Sequence, residues 1–280
     1  MSDMRDILKR ALPQADENAL DRFEIYHRLL SEWNEKMNLT AITDPVEVAE
    51  KHFADSLAAL PWLKPGMKVI DVGTGAGFPG VPLLIMEPDL ELTLADSLNK
   101  RLTFLDALLR ELGLAAAMVH GRAEDLGQNR LYRERYDVAL SRAVASLPVL
   151  LELTTPFVKV GGSAIAYKGD ASEELESAKS AAFLLHVKLR QVELESNLGK
   201  RCLIFADKTA PTPKQTTARF APVYAAISFS KRSTNLPTEE TNVVSIHSFR
   251  YFFSLPTKTG TARGVNSWLP YTDLIKSITF

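Results

Sequence analysis

The ten residues Asp71-Val72-Gly73-Thr74-Gly75-Ala76-Gly77-Phe78-Pro79-Gly80 decide the fold of this chain. They end a short apolar, β-branched run at residues 69–72, which predicts a strand, and they lead into the apolar segment 79–86, which predicts a helix. A glycine-rich turn between the first strand and the first helix of an α/β sheet lets the backbone approach a ligand closely, and the helix start offers free N–H groups. We therefore predict a ligand site at this turn.

The spacing of the glycines admits two interpretations. Gly75, Gly77 and Gly80 fit GxGxxG, the fingerprint of dinucleotide-binding domains. Gly73, Gly75 and Gly77 fit GxGxG, the usual pattern of methyltransferases that use S-adenosylmethionine. Asp96, at the end of the second predicted strand, suits both, because each cofactor carries a ribose whose hydroxyls can bind a carboxylate.

Three features favour the methyltransferase interpretation. Asp71 precedes the loop at a strand end, where methyltransferases often hold an acid near the amino-acid part of the cofactor. Pro79 and Pro82 lie at the helix start, where a pyrophosphate would need N–H donors that proline lacks. About sixty predicted helical residues precede the first strand, which is common as a substrate-binding cap in methyltransferases.

Strands and helices alternate after the loop, which predicts βαβ units and a mostly parallel sheet. Further strands are predicted at residues 91–95, 116–120, 136–140, 163–167, 186–195 and 201–207. The intervening helices are predicted at residues 98–112, 123–131, 147–158 and 171–184. The fold class is therefore α/β.

The chain divides into three predicted segments. Residues 1–62 are helical, with apolar residues at three- and four-residue spacing, and we expect them to pack on the core. Residues 63–214 form the predicted methyltransferase domain. Residues 215–280 are rich in Thr, Ser and Pro without sustained periodicity, and we expect an atypical, poorly ordered C-terminal extension.

Composition limits the classes of protein that fit. Hydrophobic residues make up 46% of the 280 residues, which suffices for a sizeable core, and the formal net charge of −1 leaves nucleic-acid binding to a local patch. A single cysteine excludes an internal disulfide, and neither a secretory leader nor an apolar run of membrane-spanning length is visible. We expect a cytoplasmic protein.

Several motifs together resemble one family. They are NLTAI (38–42), KHFADSL (51–57), DVGTGAGFPG (71–80), LADSLNKRLTFL (94–105), GRAEDL (121–126), LSRAVASL (140–147) and AYKG (166–169). In order, from Asp21 to Lys214, the chain is similar to the small-subunit ribosomal RNA methyltransferase G family, also called glucose-inhibited division protein B. From Gln215 onward the short basic, proline-rich ending usual in that family is missing.

The resemblance implies a fold, a reaction and a partner. The fold is a class I S-adenosylmethionine-dependent methyltransferase sheet, Rossmann-like, with an N-terminal helical layer. The reaction is methyl transfer to ring nitrogen 7 of one guanine (guanine 527 in the family) of 16S rRNA in the small ribosomal subunit. By similarity, the cofactor-binding residues are Gly73, Phe78, Ala123, Glu124 and Arg142, to which the loop pattern adds Gly75 and Gly77 and the strand pattern adds Asp96.

The chemistry of that reaction agrees with the residues that are present. Ring nitrogen 7 carries a lone pair and no proton, so methyl transfer needs alignment and no general base. Arg142, at the end of the fourth strand, is the predicted catalytic residue, since a guanidinium can stack on a base or donate to its acceptors. Lys168 is a candidate phosphate contact, whereas His52 and Cys202 are interpreted as buried structural residues.

Other interpretations remain open at this point. Six basic residues could form a rim that contacts RNA: Lys100, Arg101, Arg122, Arg130, Arg133 and Arg135. No His or Cys cluster has metal-ligand spacing, so no metal is predicted. The alternatives to the methyltransferase are an NAD-dependent oxidoreductase and a non-catalytic ribosome assembly factor. We expect a monomer without a membrane partner.

Overall fold

Seven strands form one sheet within residues 3–195 and 199–213, the part of the chain that the computed structural model describes. The strand order is β3-β2-β1-β4-β5-β7-β6; the first five strands pair in parallel, and β7 runs antiparallel between β5 and β6. The strands are β1 (Lys68–Val72), β2 (Glu91–Asp96), β3 (Ala117–His120), β4 (Tyr136–Arg142), β5 (Val158–Lys168), β6 (Val187–Leu194) and β7 (Arg201–Lys208). The predicted α/β sheet is confirmed.

Eight α-helices lie in the same part of the chain: α1 (Met4–Ala11), α2 (Glu17–Met37), α3 (Pro45–Glu47), α4 (Gly80–Met86), α5 (Asn99–Leu112), α6 (Ala123–Leu126), α7 (Leu147–Thr154) and α8 (Ser172–Leu184). A π-helical turn, Val48–Ala54, continues α3, and 3-10 helices follow at Leu57–Trp62 and Thr155–Phe157. The predicted extension 215–280 lies outside the described residues.

Two boundaries differ from the prediction by five residues. Helix α6 ends at Leu126 rather than at residue 131, because Gly127 follows and the Asn129 side chain accepts from the backbone of Leu131 in a turn. Strand β5 begins at Val158 rather than at residue 163, and its pairing with β4 shifts register between Tyr136 and Val138. Exposed residues lie at that irregular pairing, so the sequence there lacks the alternation of apolar and polar residues that predicts a strand.

Two helix starts in the N-terminal segment are capped by aspartate side chains. Asp16 accepts a 2.7 Å hydrogen bond from the backbone of Ala19 and so caps α2. Asp44 accepts from Val46 and Glu47, each at 3.0 Å, with Pro45 in the first helical turn, as the sequence predicts. These helices bring the NLTAI and KHFADSL motifs toward the sheet.

The core has one part on each face of the sheet. On one face, α4, α5 and the N-terminal helices bury a continuous cluster that includes Phe23, Tyr26, Phe53 and Phe104. On the other face, α7 and α8 bury a second cluster around Phe157. Because the N-terminal helices share a hydrophobic cluster with the sheet, they form a layer of the same core.

Lys208 fixes the last described residues. Its side chain is fully buried, and Nζ donates to Glu134 Oε1 at 2.8 Å and to the carbonyl oxygens of Thr155 and Val158. Glu134 also accepts from the backbone of Thr212 at 2.9 Å. Burial of the ammonium lowers the pKa of Lys208, and its three acceptors compensate for the lost hydration.

Candidate functional site

The loop between β1 and α4 exposes its backbone at the carboxyl edge of the sheet. Gly73 has φ +73° and Gly75 has φ +62°, a conformation that strains other residues. A Cβ placed on Gly75 would have no neighbour closer than the Gly73 carbonyl oxygen at 4.0 Å, so the loop leaves open space there. The amide of Gly75 donates to Asp96 Oδ2 at 3.0 Å, which ties the loop to the end of β2.

Gly77 has a different role from its two neighbours. A Cβ on Gly77 would lie 2.6 Å from the hydroxyl oxygen of Tyr26 and 2.9 Å from side-chain atoms of Leu105 and Val81. Gly77 therefore allows close packing between the loop and the helices behind it. It lines neither of the two cavities described below, although the sequence pattern groups it with Gly73 and Gly75 as a cofactor residue.

Asp71 lies beneath the loop. It is fully buried, and its Oδ2 accepts from the Thr74 hydroxyl at 2.7 Å and from the Gly80 amide at 2.9 Å. Its Oδ1 has no hydrogen-bond partner within the described residues, and burial raises the pKa of Asp71 to about 6. Asp71 thus organises the loop from below and lines neither cavity, whereas the sequence argument placed it near the cofactor.

One cavity, which we call the side cavity, lies beyond the ends of β2 and β3. It measures about 280 Å³ and is lined by Val72, Gly73, Ala95, Asp96, Ser97, Arg101, Gly121, Arg122, Ala123, Glu124, Ala143, Val144 and Leu153. The buried Asp96 carboxylate also accepts from the Leu98 amide at 2.8 Å and pairs with Arg101 at 3.2 Å. Glu124 pairs with Arg122 at 2.8 Å. The structure thus brings four predicted residues, Gly73, Asp96, Ala123 and Glu124, to one place.

A second cavity, the central cavity, lies between the loop, β4, β5, β7 and the N-terminal layer. It measures about 550 Å³ and is lined by Leu39, Thr40, Ile42, Lys51, His52, Asp55, Gly73, Thr74, Gly75, Ala76, Phe78, Arg101, Arg142, Ala143, Tyr167, Lys168, Gly169, Leu194, Arg201 and Cys202. It shares Gly73, Arg101 and Ala143 with the side cavity, so the two adjoin. A third concavity of about 650 Å³ lies at the amino ends of the strands and contains none of the predicted cofactor-binding or catalytic residues.

Arg142 is anchored to the N-terminal layer. Its NH1 lies 3.0 Å from Asp55 Oδ2, 3.2 Å from the Ser56 hydroxyl, and 3.3 and 3.4 Å from the carbonyl oxygens of Lys51 and His52. Its guanidinium carbon stands 5.0 Å from the centre of the Phe78 ring. The NH1 donors of Arg142 therefore bind the protein itself, and its contact with a base stays a prediction.

Asp55 holds two guanidinium groups. Its Oδ2 pairs with Arg142, and its Oδ1 lies 3.3 Å from Nε of Arg201, the first residue of β7. The side chains of Asp55 and Arg142 are 12% and 14% exposed, so this pair is sheltered from solvent. Asp55 thus joins the N-terminal layer to β4 and β7 at the cavity.

Three aromatic rings pack against one another beside the loop. Phe78 stacks on Tyr26, with ring centres 5.2 Å apart and planes 8° apart, and His52 stacks on Phe78 at 4.5 Å. The Tyr26 hydroxyl donates to the carbonyl oxygen of Ala76 at 2.6 Å. Burial, together with the nearby Arg142, lowers the pKa of His52 to about 4, so the imidazole is neutral at pH 7.

Sequence reasoning missed the importance of three N-terminal residues and of Arg201. His52 was interpreted as a structural residue, and Thr40, Asp55 and Arg201 were given no role, yet all four line the central cavity. They lie far along the chain from Arg142, and local periodicity carries no information on such contacts. The available signal was the pair of motifs, NLTAI and KHFADSL, for which a helical layer alone gives no explanation.

Some of the predicted basic residues bind other groups of the protein. Lys168 Nζ donates to the Ala145 carbonyl and pairs with Glu174, both at 2.8 Å, so it is not a free phosphate ligand. Arg133 donates to the carbonyl oxygens of Gly127, Thr212 and Pro213. Of the predicted rim, Arg101 and Arg122 are in ion pairs, and the exposed members are Lys100, Arg122, Arg130 and Arg135.

Two surveys of residues 3–195 and 199–213 bear on other classes of site. No group of three or more His, Cys, Asp or Glu in that part of the chain could hold a metal ion. No helix there is long and apolar enough to cross a membrane. Cys202 is buried, as predicted, and its thiol donates to the Gly169 carbonyl at 3.1 Å.

Comparison with known proteins gives a consistent result. A family model described as rRNA small subunit methyltransferase G (GidB) matches residues 19–203. The Ribosomal RNA small subunit methyltransferase G of Acetivibrio thermocellus is 48% identical over 204 residues, which cover 71% of this chain and 84% of that protein. The protein of the same name from Clostridium perfringens (strain 13 / Type A) is 45% identical over 220 residues, covering 75% and 92%. Among solved structures, a putative O-methyltransferase from Klebsiella pneumoniae has a TM-score of 0.49 at 14% identity, covering 74% of this chain and 96% of that one.

Proposed function

Because the chain belongs to the small-subunit rRNA methyltransferase G family, we propose that it transfers a methyl group from S-adenosylmethionine to ring nitrogen 7 of one guanine in small-subunit rRNA. Membership decides between the two interpretations of the glycine spacing in favour of the methyltransferase. The fold is accordingly the class I methyltransferase sheet, with strand order β3-β2-β1-β4-β5-β7-β6. The observation that carries the proposal is the meeting of two cavities at Gly73, where a cofactor and a base can lie end to end.

The side cavity suits the adenosine part of the cofactor. The carboxylates of Asp96 and Glu124 line it, and a carboxylate can accept hydrogen bonds from ribose hydroxyls. Arg101, which is 36% exposed, now occupies one side of Asp96, so we propose that it yields this place to the ribose. Ala123 offers a small side chain beside the proposed adenine position.

The loop suits the remainder of the cofactor. The space in front of Gly75 is open to a ligand, and a Cβ there would enter it. Gly73 borders both cavities, so we propose that the cofactor crosses from one to the other at this residue. Phe78 closes the loop on the side of the central cavity and supplies an apolar surface. S-adenosylmethionine, when bound, supplies a methyl group on a sulfonium for direct displacement.

The residues of the central cavity have to align the guanine. Ring nitrogen 7 already carries a lone pair, so the protein needs no general base, and alignment can supply a large part of the rate enhancement. Proteins usually read RNA sequence in unpaired loops, and enzymes that act on a base extrude it from its stack. We propose that the target guanine enters the central cavity and that Arg142 acts by holding Lys51–Ser56 and Phe78 around it.

The proposed partner is the small ribosomal subunit or its 16S rRNA. The exposed cation Lys100, in the first turn of α5, is a candidate phosphate contact, whereas Arg130 and Arg135 lie toward the amino ends of the strands. A monomeric state and a cytoplasmic location remain predictions from the sequence.

The decisive experiment is a methylation assay. The purified chain, S-adenosylmethionine with a labelled methyl group, and small subunits from a strain lacking this modification are incubated, and the methylated position is mapped by chemical cleavage at 7-methylguanine. We expect label at one guanine of 16S rRNA. Binding to subunits without label would instead indicate the assembly-factor alternative, and calorimetric binding of NAD in place of S-adenosylmethionine would refute the proposed cofactor.

A further inference from the structure

Three side chains from three motifs form a hydrogen-bonded chain along the central cavity. Thr40, from NLTAI, lies with its Oγ1 2.7 Å from Nε2 of His52, which belongs to KHFADSL. Nδ1 of His52 lies 3.5 Å from NH2 of Arg142, which belongs to LSRAVASL. All three residues line the central cavity, so the chain of contacts runs along its wall.

The direction of these hydrogen bonds follows from the arginine. A guanidinium can only donate, so Nδ1 of His52 accepts from Arg142 and carries no proton. A neutral imidazole then carries its proton on Nε2, which donates to Thr40 Oγ1. The carbonyl oxygen of Lys51, near the ring, favours protonated His52 and also accepts from Arg142 at 3.3 Å.

The hydroxyl of Thr40 consequently has a proton that is not used in a hydrogen bond. Its oxygen accepts from Nε2 of His52 and from the amide of Ile42 at 3.0 Å, which occupies both lone pairs. Its own proton has no acceptor among the described residues. Thr40 is half-buried and borders the central cavity, so the proton is available to whatever enters that cavity.

We propose that Thr40 donates this hydrogen bond to the carbonyl oxygen of the target guanine and so helps the enzyme distinguish guanine from adenine. The inference rests on the proposed function and adds a specificity-determining residue to it. On the major-groove edge, guanine presents this carbonyl oxygen beside nitrogen 7, whereas adenine presents an amino group, itself a donor. A hydroxyl held as a donor therefore favours binding of guanine and disfavours binding of adenine at the same position.

The surroundings favour a neutral carbonyl over a phosphate. Phosphate sites in proteins usually present uncompensated cations. Each cation near Thr40 already binds a carboxylate: Lys51 binds Glu47, and Arg142 and Arg201 share the single carboxylate of Asp55. An uncharged hydroxyl donor beside cations that already bind carboxylates matches an uncharged acceptor.

The test compares Thr40→Val, which keeps the shape and removes the hydroxyl, with Thr40→Ser, which restores it. Dissociation constants are measured for small subunits that carry guanine or adenine at the target position, together with kcat/KM on guanine. We expect Thr40→Val to lose about tenfold in kcat/KM and in affinity for the guanine subunits, with little change for adenine, and Thr40→Ser to remain near wild type. S-adenosylmethionine affinity should not change in either variant.

Equal losses on guanine and adenine subunits would overturn the inference and indicate a phosphate contact or a purely structural role. Failure of Thr40→Ser to recover the loss would overturn it too. Absence of any methylation by the wild-type protein would instead count against the proposed function, so the two failures are distinguishable.

A second measurement is made on the wild-type protein, and a variant serves only to assign its signals. Nitrogen-15 NMR of the wild-type protein at pH 7 reports which ring nitrogen of His52 carries the proton, and the His52→Gln variant identifies its signals. We expect the proton on Nε2. A proton on Nδ1 would make Nε2 the acceptor of the Thr40 hydroxyl and would remove the donor from the cavity.

Discussion

Tyr26 donates a buried 2.6 Å hydrogen bond to the carbonyl oxygen of Ala76, at the centre of the glycine loop. The two residues are 50 positions apart in sequence. Gly77, next in the chain, lacks the side chain that would prevent this approach. The N-terminal layer therefore determines the shape of the loop that we assign to the cofactor.

Tyr26→Phe should weaken S-adenosylmethionine binding. The ring and its stacking on Phe78 remain, but the Ala76 carbonyl loses its donor, which costs about 0.5–1.5 kcal/mol, or roughly 3- to 10-fold in dissociation constant. Calorimetric titration measures the change. Tyr136→Phe, which removes a hydroxyl near the amino end of the sheet, serves as the control and should bind normally. Equal effects in both variants would mean that the Tyr26 contact has no specific role in the loop.

Gly75→Ala and Gly77→Ala should fail for different reasons. At Gly75 the added methyl group enters open space and costs only the strain of its positive φ, about 1 kcal/mol, while cofactor affinity falls more than about tenfold. At Gly77 it collides with Tyr26 and Leu105, so the melting temperature falls first. Thermal unfolding and titration on the same samples separate the two effects. Normal cofactor binding by a folded Gly75→Ala protein would exclude the loop from the site.

Asp96→Ala should weaken cofactor binding by about 1–3 kcal/mol. The buried carboxylate is the proposed ribose acceptor, and it also holds the amides of Gly75 and Leu98. Asp96→Asn keeps one acceptor oxygen, so it should retain more stability than Asp96→Ala while still binding the cofactor less well. The measurements are calorimetric affinity and urea unfolding. Unchanged affinity in both variants would show that β2 does not contribute to the site.

The fold could be predicted from the sequence because its signals are local. The apolar run that ends at Val72, the glycines that follow it and the Asp44-Pro45 cap each depend on residues close together in the chain. Helix α6 was predicted too long because Gly127 and the Asn129 turn gave a weaker signal than the apolar residues around them.

The site could be predicted only in part. A strand end in a parallel sheet lies at the ligand edge, and this placed Arg142 and Asp96 near the cavities. The same rule says nothing of a partner such as Asp55, which lies 87 residues from Arg142 in sequence. Gly77 shows the converse problem, because a spacing pattern cannot distinguish a glycine that faces a ligand from one that faces a tyrosine.

Arg142→Lys should lose most methylation despite keeping the charge. A single ammonium cannot reproduce a planar fork that reaches Asp55, Ser56 and two backbone carbonyls through one nitrogen and His52 through another. We expect a stability loss of about 1–3 kcal/mol, limited because Arg201 still neutralises Asp55. Single-turnover assays and urea unfolding measure the two effects. Full methylation by the lysine variant would show that the guanidinium geometry is dispensable.

Two buried groups should give opposite dependences of stability on pH. The pKa of His52 is lowered from 6.5 to about 4, so its contribution is present above pH 6.5 and is lost as the pH falls toward 4. The pKa of Asp71 is raised from 3.8 to about 6, so its contribution is present below pH 3.8 and is lost as the pH rises through 6. Between pH 4 and 6 the two slopes should largely cancel in the wild-type protein.

Single variants should separate the contributions of His52 and Asp71 to the pH dependence of stability. The wild-type stability minus that of His52→Gln should increase from pH 4 to 6.5 by about 1–2 kcal/mol, a value reduced for the partial exposure of His52. The wild-type stability minus that of Asp71→Asn should decrease from pH 4 to 6 by up to about 3 kcal/mol. Urea unfolding at unit steps of pH supplies both curves, and parallel curves would contradict the assignment.

The aromatic stack of Tyr26, Phe78 and His52 has a thermodynamic consequence. Phe78 belongs to the loop that we assign to the cofactor, and His52 belongs to the wall that we assign to the base, so neither ring can shift without repacking the other. If the bound cofactor changes the arrangement of this stack, it also changes the affinity of the protein for the ribosomal subunit. Linkage is reciprocal, so the subunit must alter the affinity for the cofactor by the same factor.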